Sequence, residues 1–217
     1  MEHRVALVIG GTGLIGTSLI EQLIDDENYS KIISIARRPL GKPHPKVSEV
    51  ITHLENIDTL EIKEEINDAF CCLGTTMKKA GSKEAFYKVD HDYVLAFADL
   101  SKKLNVHSFN VITAMGSNKN SKVYYNKVKG EVQDHLIKLD FDVLNIYQPS
   151  LLLGERDENR LGEDVGKILN KVLRPIIPKK YQGIDGSKVA KSMIKTALES
   201  NKKLNILTSD QLQSLGQ

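Results

Sequence analysis

Apolar and polar positions fall into blocks along this chain. Val5-Ala-Leu-Val-Ile9 is an unbroken apolar run, the mark of a strand buried on both faces at the centre of a parallel sheet. Seven residues of glycine-rich turn follow it, and Leu19-Ile20 and Leu23-Ile24 then recur at helical spacing. The rhythm repeats. Strands are predicted over 31–36, 47–51, 68–73, 109–113 and 142–147, and helices over about 55–67, 82–104 and 123–139. Phe86, Val89, Tyr93, Val94, Phe97 and Leu100 supply the stripe of the helix over 82–104, with Ser82 in its N-cap region. Beyond Pro149 the pattern loosens into a charged connector over 151–160, a helix over 163–173 and a proline-bounded stretch over 174–178. A helix capped by Asp185-Gly-Ser187 and a last strand over 204–207 complete it. Strands alternating with helices in this way predict an α/β fold, a doubly wound parallel sheet.

The turn after the first strand is the first chemical signal. Gly10, Gly11, Thr12, Gly13, Leu14, Ile15 and Gly16 fit G-x-G-x-x-G between a strand and a helix, the context that motif requires. A helix beginning there points free N–H groups and the positive end of its dipole at whatever the glycines admit, and a pyrophosphate fits. The second strand ends in Arg37-Arg38 with no adjacent carboxylate. An acidic residue there would bond the ribose hydroxyls of NAD; two guanidiniums suit the extra 2′-phosphate of NADP, so NADP(H) is preferred over NAD(H). Leu54, after the third strand, lies where an adenine would rest. Leu73, Gly74 and Thr75 end the fourth strand, where a glycine lets ribose and phosphates pass close.

Composition narrows the classes. A chain of 217 residues with 41% hydrophobic and 27% charged positions suits one domain over 1–217, with 1–149 the cofactor-binding core and 150–217 the substrate-side part. The net charge of +2 gives no ground for a nucleic-acid partner, and the basic stretch over 167–180 reads as a solvated face. The residues before Val5 leave no room for a signal peptide, and no apolar run nears the ~20 residues needed to cross a bilayer, so no membrane partner is expected. Cys71 and Cys72 are neighbours pointing to opposite faces of a strand, small core residues with neither a disulfide nor a metal implied. These features together predict a cytoplasmic protein.

Tyr125 and Lys129 stand four residues apart on a predicted helix and share one face. A phenol with a pKa of ~10 is a poor acid–base group at neutral pH, and a nearby ammonium draws that value down. Such a phenol can exchange a proton with a carbonyl or alcohol oxygen as hydride moves, while the lysine bonds the nicotinamide ribose. Tyr124 lacks the partner, because Val128 stands four residues on. Thr113, at the end of the preceding strand, is the candidate for a third hydroxyl that orients the substrate, or else an ordinary strand residue; Ser117 is the reserve, and Asn110 reads as structural.

Taken together, Gly10–Gly16, Arg37-Arg38, Tyr125-x-x-x-Lys129 and Gln148-Pro149 resemble the short-chain dehydrogenase/reductase superfamily in its atypical branch. Cys71-Cys-Leu-Gly-Thr-Thr76, Lys79-Ala-Gly81, Val89-Asp90, Asp92-Tyr-Val-Leu95 and Lys127-Val-Lys-Gly-Glu-Val132 are similar to the Tat-interacting oxidoreductase-like proteins, over about 5–163. The resemblance implies a Rossmann-like fold with a small C-terminal substrate-side elaboration, NADPH on the turn and Arg37-Arg38, and Tyr125 with Lys129 as the catalytic pair. Two departures stand out: Thr113-Ala114 where relatives commonly carry two serines, and Gln148 where an arginine often precedes the proline. The expected activity is NADPH-dependent hydride transfer on a small carbonyl or alcohol. The alternative is an NADPH-binding regulatory protein with a protein partner and little catalysis. Epimerase or dehydratase chemistry with tightly held NAD is disfavoured by Arg37-Arg38.

Overall fold

A computed structural model describes residues 3–41, 43–154 and 178–217. Its first half runs β1 (Arg4–Ile9), α1 (Leu14–Asp25), β2 (Tyr29–Ala36), β3 (Val47–Ile51), β4 (Asp68–Cys71) and α2 (Met77–Ala80). Helices α3 (Lys83–Tyr87) and α4 (Tyr93–Lys103) are joined by a π turn at Lys88–Asp92 and lead into β5 (Ser108–Ile112) and α5 (Tyr124–Lys138). After β6 (Val143–Gln148) come β7 (Leu152–Leu153), β8 (Ile184–Asp185), α6 (Gly186–Glu199), β9 (Leu204–Thr208) and α7 (Ser209–Leu215).

Among the described residues seven strands form one sheet in the order β3-β2-β1-β4-β5-β6-β9, each of these pairings parallel. The chain crosses from one half to the other after β3, and the two halves meet where β1 pairs with β4. In such sheets that switch point opens a crevice beyond the carboxyl ends of the strands. This is the Rossmann-like doubly wound fold. Alternate residues of β1 serve opposite layers: Leu7 and Ile9 pack with Phe97, Phe109 and Val132, whereas Ala6 and Val8 pack with Leu19, Leu23 and Met193. Fully burying a valine, leucine, isoleucine, phenylalanine or methionine side chain in these layers contributes ~1.5–3 kcal/mol.

Toward the amino ends of its strands, from β1 and β2 across to β9, the sheet carries a largely buried polar ladder. The buried Asp68 carboxylate accepts from Arg4 Nε at 2.6 Å, Arg4 Nη2 at 2.7 Å, Tyr29 Oη at 2.8 Å and Ser108 Oγ at 2.7 Å. Burial, followed by the charge of Asp68, holds the Tyr29 phenol well above its ordinary range. From Ser108 the chain of bonds passes to Asn110, whose Oδ1 accepts from Asn145 and Tyr147, and on to Asn205, which donates to Asn145. Asn110, Asn145 and Asn205 are register partners on β5, β6 and β9, so one sheet face aligns them.

Three expectations change. The helix expected over 55–67 is a 3₁₀ turn at Leu54–Thr59; Leu60, Ile62 and Ile66 offer no helical stripe and instead pack singly against the core. The long helix over 82–104 contains the π turn, with Ser82 capping it by accepting from Ala85 N–H at 3.0 Å. Within 150–217, β9 adds a seventh strand and α6 packs on α1, where Gln22 Nε2 donates to Ser187 O at 3.0 Å. That region therefore builds core as well as any wall. The helix expected over 163–173, the basic stretch up to 177 and most of the connector over 151–160 lie outside the described residues.

Candidate functional site

The crevice is framed by the ends of β1, β2, β4 and β5. Gly10 leaves β1 with φ +83°, and a Cβ there would stand 2.6 Å from the Cys72 backbone; one on Gly16 would stand 2.1 Å from Gly10 O. Only a chain without these side chains closes so tight a turn. Gly13 is the N-cap of α1 with no side-chain cap, no acidic residue sits in the first turn, and Thr12 and Gly13 are exposed. The N–H groups of Leu14, Ile15 and Gly16 find no acceptor among the described residues, although Leu14 and Ile15 pack inward. Unengaged backbone N–H groups at an exposed helix start are a general binding place for an anion. Arg37 and Arg38 stand exposed past β2, and no carboxylate among the described residues pairs with them. Leu54 is buried at the start of its turn, Leu73 is buried beyond β4, and Gly74 is exposed beside it.

Across the crevice α5 presents the tyrosine and lysine. Tyr125 is partly exposed, its ring 5.5 Å from that of Phe86, and its hydroxyl makes no hydrogen bond among the described residues. Tyr124 instead donates to Lys83 O at 3.2 Å. Lys129 is buried, with Nζ 2.8 Å from Asp90 Oδ1. Burial works to lower the Lys129 ammonium, but the charge of Asp90, then that of Tyr125, outweighs it and holds the group above its ordinary value. Lys129 thus lies within electrostatic reach of both. Thr75 N–H donates to Asp90 Oδ2 at 2.8 Å. The following residue, Gly130, is where loop 116–121 docks: a Cβ there would meet Asn118 and Lys119 backbone at 2.2 Å, and Asn118 N–H donates to Asn126 O at 3.0 Å.

Thr113 is engaged elsewhere. Its buried hydroxyl donates to Tyr147 O at 3.3 Å and accepts from Gln133 Nε2 at 2.7 Å, one turn along α5 from Lys129. Gln133 in turn accepts from Gln148 Nε2 at 3.2 Å. Ser117 Oγ donates to Ala114 O at 2.6 Å and accepts from Ala114 N–H at 3.2 Å. Among the described residues no group of three or more His, Cys, Asp or Glu is placed to hold a metal ion, and no helix is long and apolar enough to cross a membrane. Cys71 is buried and Cys72 partly so; both are free, and burial pushes the Cys71 thiol up to about 12.

Val89-Asp90 belongs to the motif likeness with no role attached to Asp90, and Gln133 falls outside every motif. Asp90 carried a usable signal: four residues from both Phe86 and Val94, it places a carboxylate on the apolar stripe, and a buried carboxylate demands a cation.

No protein-family model matches the chain. Protein HTATIP2 of Rattus norvegicus is 35% identical over 167 residues, covering 75% of this chain and 69% of that protein. Protein FMP52, mitochondrial, of Kluyveromyces lactis is 33% identical over 222 residues, covering 98% of both. The chain belongs to the HTATIP2/FMP52 family, within the atypical short-chain dehydrogenase/reductases. Solved structures agree on the fold. A variant of ElxO with NADPH bound superposes with a TM-score of 0.72 at 13% identity, over 98% of this chain and 100% of that one. MoeE5 in complex with UDP-glucose and NAD gives 0.69 at 12% identity, over 97% and 80%. The HTATIP2/FMP52 membership also corrects the expectation of a cytoplasmic protein, because the FMP52 relatives are named mitochondrial. Free cysteines do not discriminate between one reducing compartment and another.

Proposed function

We propose that the chain is an NADPH-dependent oxidoreductase acting on a small carbonyl or alcohol, with Tyr125 as general acid/base. The observation that carries this reading is the pairing on α5: an unengaged phenol, and one turn away a buried ammonium, both at the carboxyl end of the sheet opposite an uncapped glycine turn. Gly10 to Gly16 would hold the diphosphate on backbone N–H groups, and Arg37 with Arg38 the 2′-phosphate. Leu54, Leu73, Gly74 and Thr75 would line the path of the adenosine and ribose. NADPH, when bound, supplies the hydride. Lys129 would stabilise the phenolate form of Tyr125 and be able to donate to the nicotinamide ribose, and Tyr125 would deliver a proton to the substrate oxygen. Residues 1–217 would act as one domain, with 1–149 the cofactor-binding core and 150–217 supplying the substrate side. Residence in mitochondria follows the FMP52 relatives, and subcellular fractionation tests it.

A second reading has one specific support. The Thr113 hydroxyl is already occupied on both sides, which leaves the substrate-orienting role without a free side chain and favours an NADPH-binding regulator. Screening purified protein with NADPH against aldehydes, ketones and quinones separates the two. Turnover that disappears in Tyr125→Phe while NADPH still binds is the expected result; turnover that survives the substitution rejects this mechanism. Replacing Arg37 and Arg38 by Ala is expected to weaken NADPH about tenfold or more per residue and to spare NADH.

A further inference from the structure

A π turn inside a helix is uncommon and often sits at functional sites. Here it spans Lys88–Asp92, within a run whose other inward residues, Phe86, Val94 and Phe97, are apolar and buried. Its effect is to deliver a carboxylate into that layer. Asp90 is fully buried, and a carboxylate so far from water needs matching charge and donors. Its Oδ2 accepts from Thr75 N–H at 2.8 Å; its Oδ1 lies 2.8 Å from Lys129 Nζ and has no other donor.

Two spacings interlock. Phe86 and Asp90 are one turn apart on one helix, Tyr125 and Lys129 one turn apart on the next, and they meet pairwise, ring on ring and carboxylate on ammonium. Gly74 borders the pair: a Cβ there would stand 3.5 Å from Asp90 Oδ1 and 3.8 Å from Lys129 Nζ. A lysine buried without an anion sheds its proton readily. The titratable groups facing Lys129 are Asp90 from the π turn, Tyr125 from α5 and the Cys71 thiol from β4, and Cys71, pushed up to about 12, stays neutral.

We propose that Asp90 is a positioning residue: anchored by Thr75 N–H and the π turn, its carboxylate keeps Lys129 a cation and holds it against Gly74, one turn from Tyr125. Its consequence for turnover rests on the catalytic reading above; its hold on the charge does not.

Titrating ¹³Cε-labelled lysines of the full chain by NMR, with Lys129 assigned from Lys129→Arg, tests this directly. In the unsubstituted protein Lys129 stays protonated past pH 10.5, the ordinary lysine value; a midpoint below it would overturn the proposal without any variant. In Asp90→Asn the midpoint falls by about one pH unit or more, and Asp90→Glu restores it. A folded Asn variant with an unmoved midpoint would equally overturn the idea. In the assay, the Asn variant moves the alkaline limb of kcat/KM down with that midpoint and lowers kcat about tenfold or more, an effect a merely structural contact would not produce. Should the midpoints move as expected while no carbonyl is turned over by any form, Asp90 keeps its role and the oxidoreductase reading fails.

Discussion

Two buried carboxylates, one at each end of β4 and the crevice beyond it, are served very differently. Asp68 receives four hydrogen bonds from three side chains on β1, β2 and β5. Asp90 receives one backbone N–H and one ammonium, and the ammonium belongs to the helix that also carries Tyr125. A saturated carboxylate fixes strands in place. A carboxylate with a single charged neighbour at the mouth of a crevice governs that neighbour's charge. The difference lies in the neutral donors: Tyr29 and Ser108 fill the remaining lone pairs of Asp68, whereas Asp90 Oδ1 has the Lys129 ammonium and no other donor.

The largest effect that sharpens this contrast is expected at Asp68. Asp68→Ala strands Arg4, Tyr29 and Ser108 without their acceptor, which costs on the order of 3 kcal/mol. Thermal unfolding then begins about 10 °C lower, while NADPH binding per folded molecule stays unchanged; a melting temperature within a degree of the parent would break the comparison. Gly130→Ala comes next. The added methyl meets loop backbone at 2.2 Å, and overpacking of this kind costs ~1–3 kcal/mol; calorimetry reads the loss, and proteolysis within 116–121 reads the lifted loop.

A pH dependence separates the two ends further. Lys129 titrates higher folded than unfolded, so its contribution is fully present below about pH 10.5 and lost as pH climbs through the folded value. Alkaline unfolding followed by circular dichroism is expected to set in earlier for Asp90→Asn than for its parent. The smallest effect is at Glu55, on the surface outside the π turn, where it accepts from Lys88 Nζ at 2.9 Å and Tyr93 Oη at 2.7 Å. Lys88 first, then Tyr93, holds its carboxyl down at about 2. That contribution is present above pH 4.5 and is lost as pH falls toward 2. Glu55→Gln is therefore expected to leave the melting temperature at pH 7 almost unchanged, since exposed pairs are screened.

Much of the scaffold was legible because its signals are local. The apolar run 5–9, the glycine turn and the i, i+4 spacing of Tyr125 and Lys129 each fix nearby geometry by sterics or helical pitch. What escaped reading depends on partners far along the chain. The role of Asp90 exists only once Lys129 folds beside it, and Thr113 is occupied by Gln133 and Tyr147, which no strand pattern announces. The π turn escaped for a related reason: one additional residue in a helical repeat leaves composition untouched and only rotates the faces. Helix α7 was missed although Thr208 and Gln211 form a capping box, because its apolar content is slight.

The asparagine ladder has a consequence for the order of synthesis. Asn205, on β9, supplies the donor that meets Asn145 Oδ1. A nascent chain still lacking this strand has its glycine turn made but β6 left as an open edge, the Asn145 amide oxygen without its donor. Translation stalled before residue 204 should therefore yield a protease-sensitive intermediate, and release of the last strand should be the event that locks the sheet.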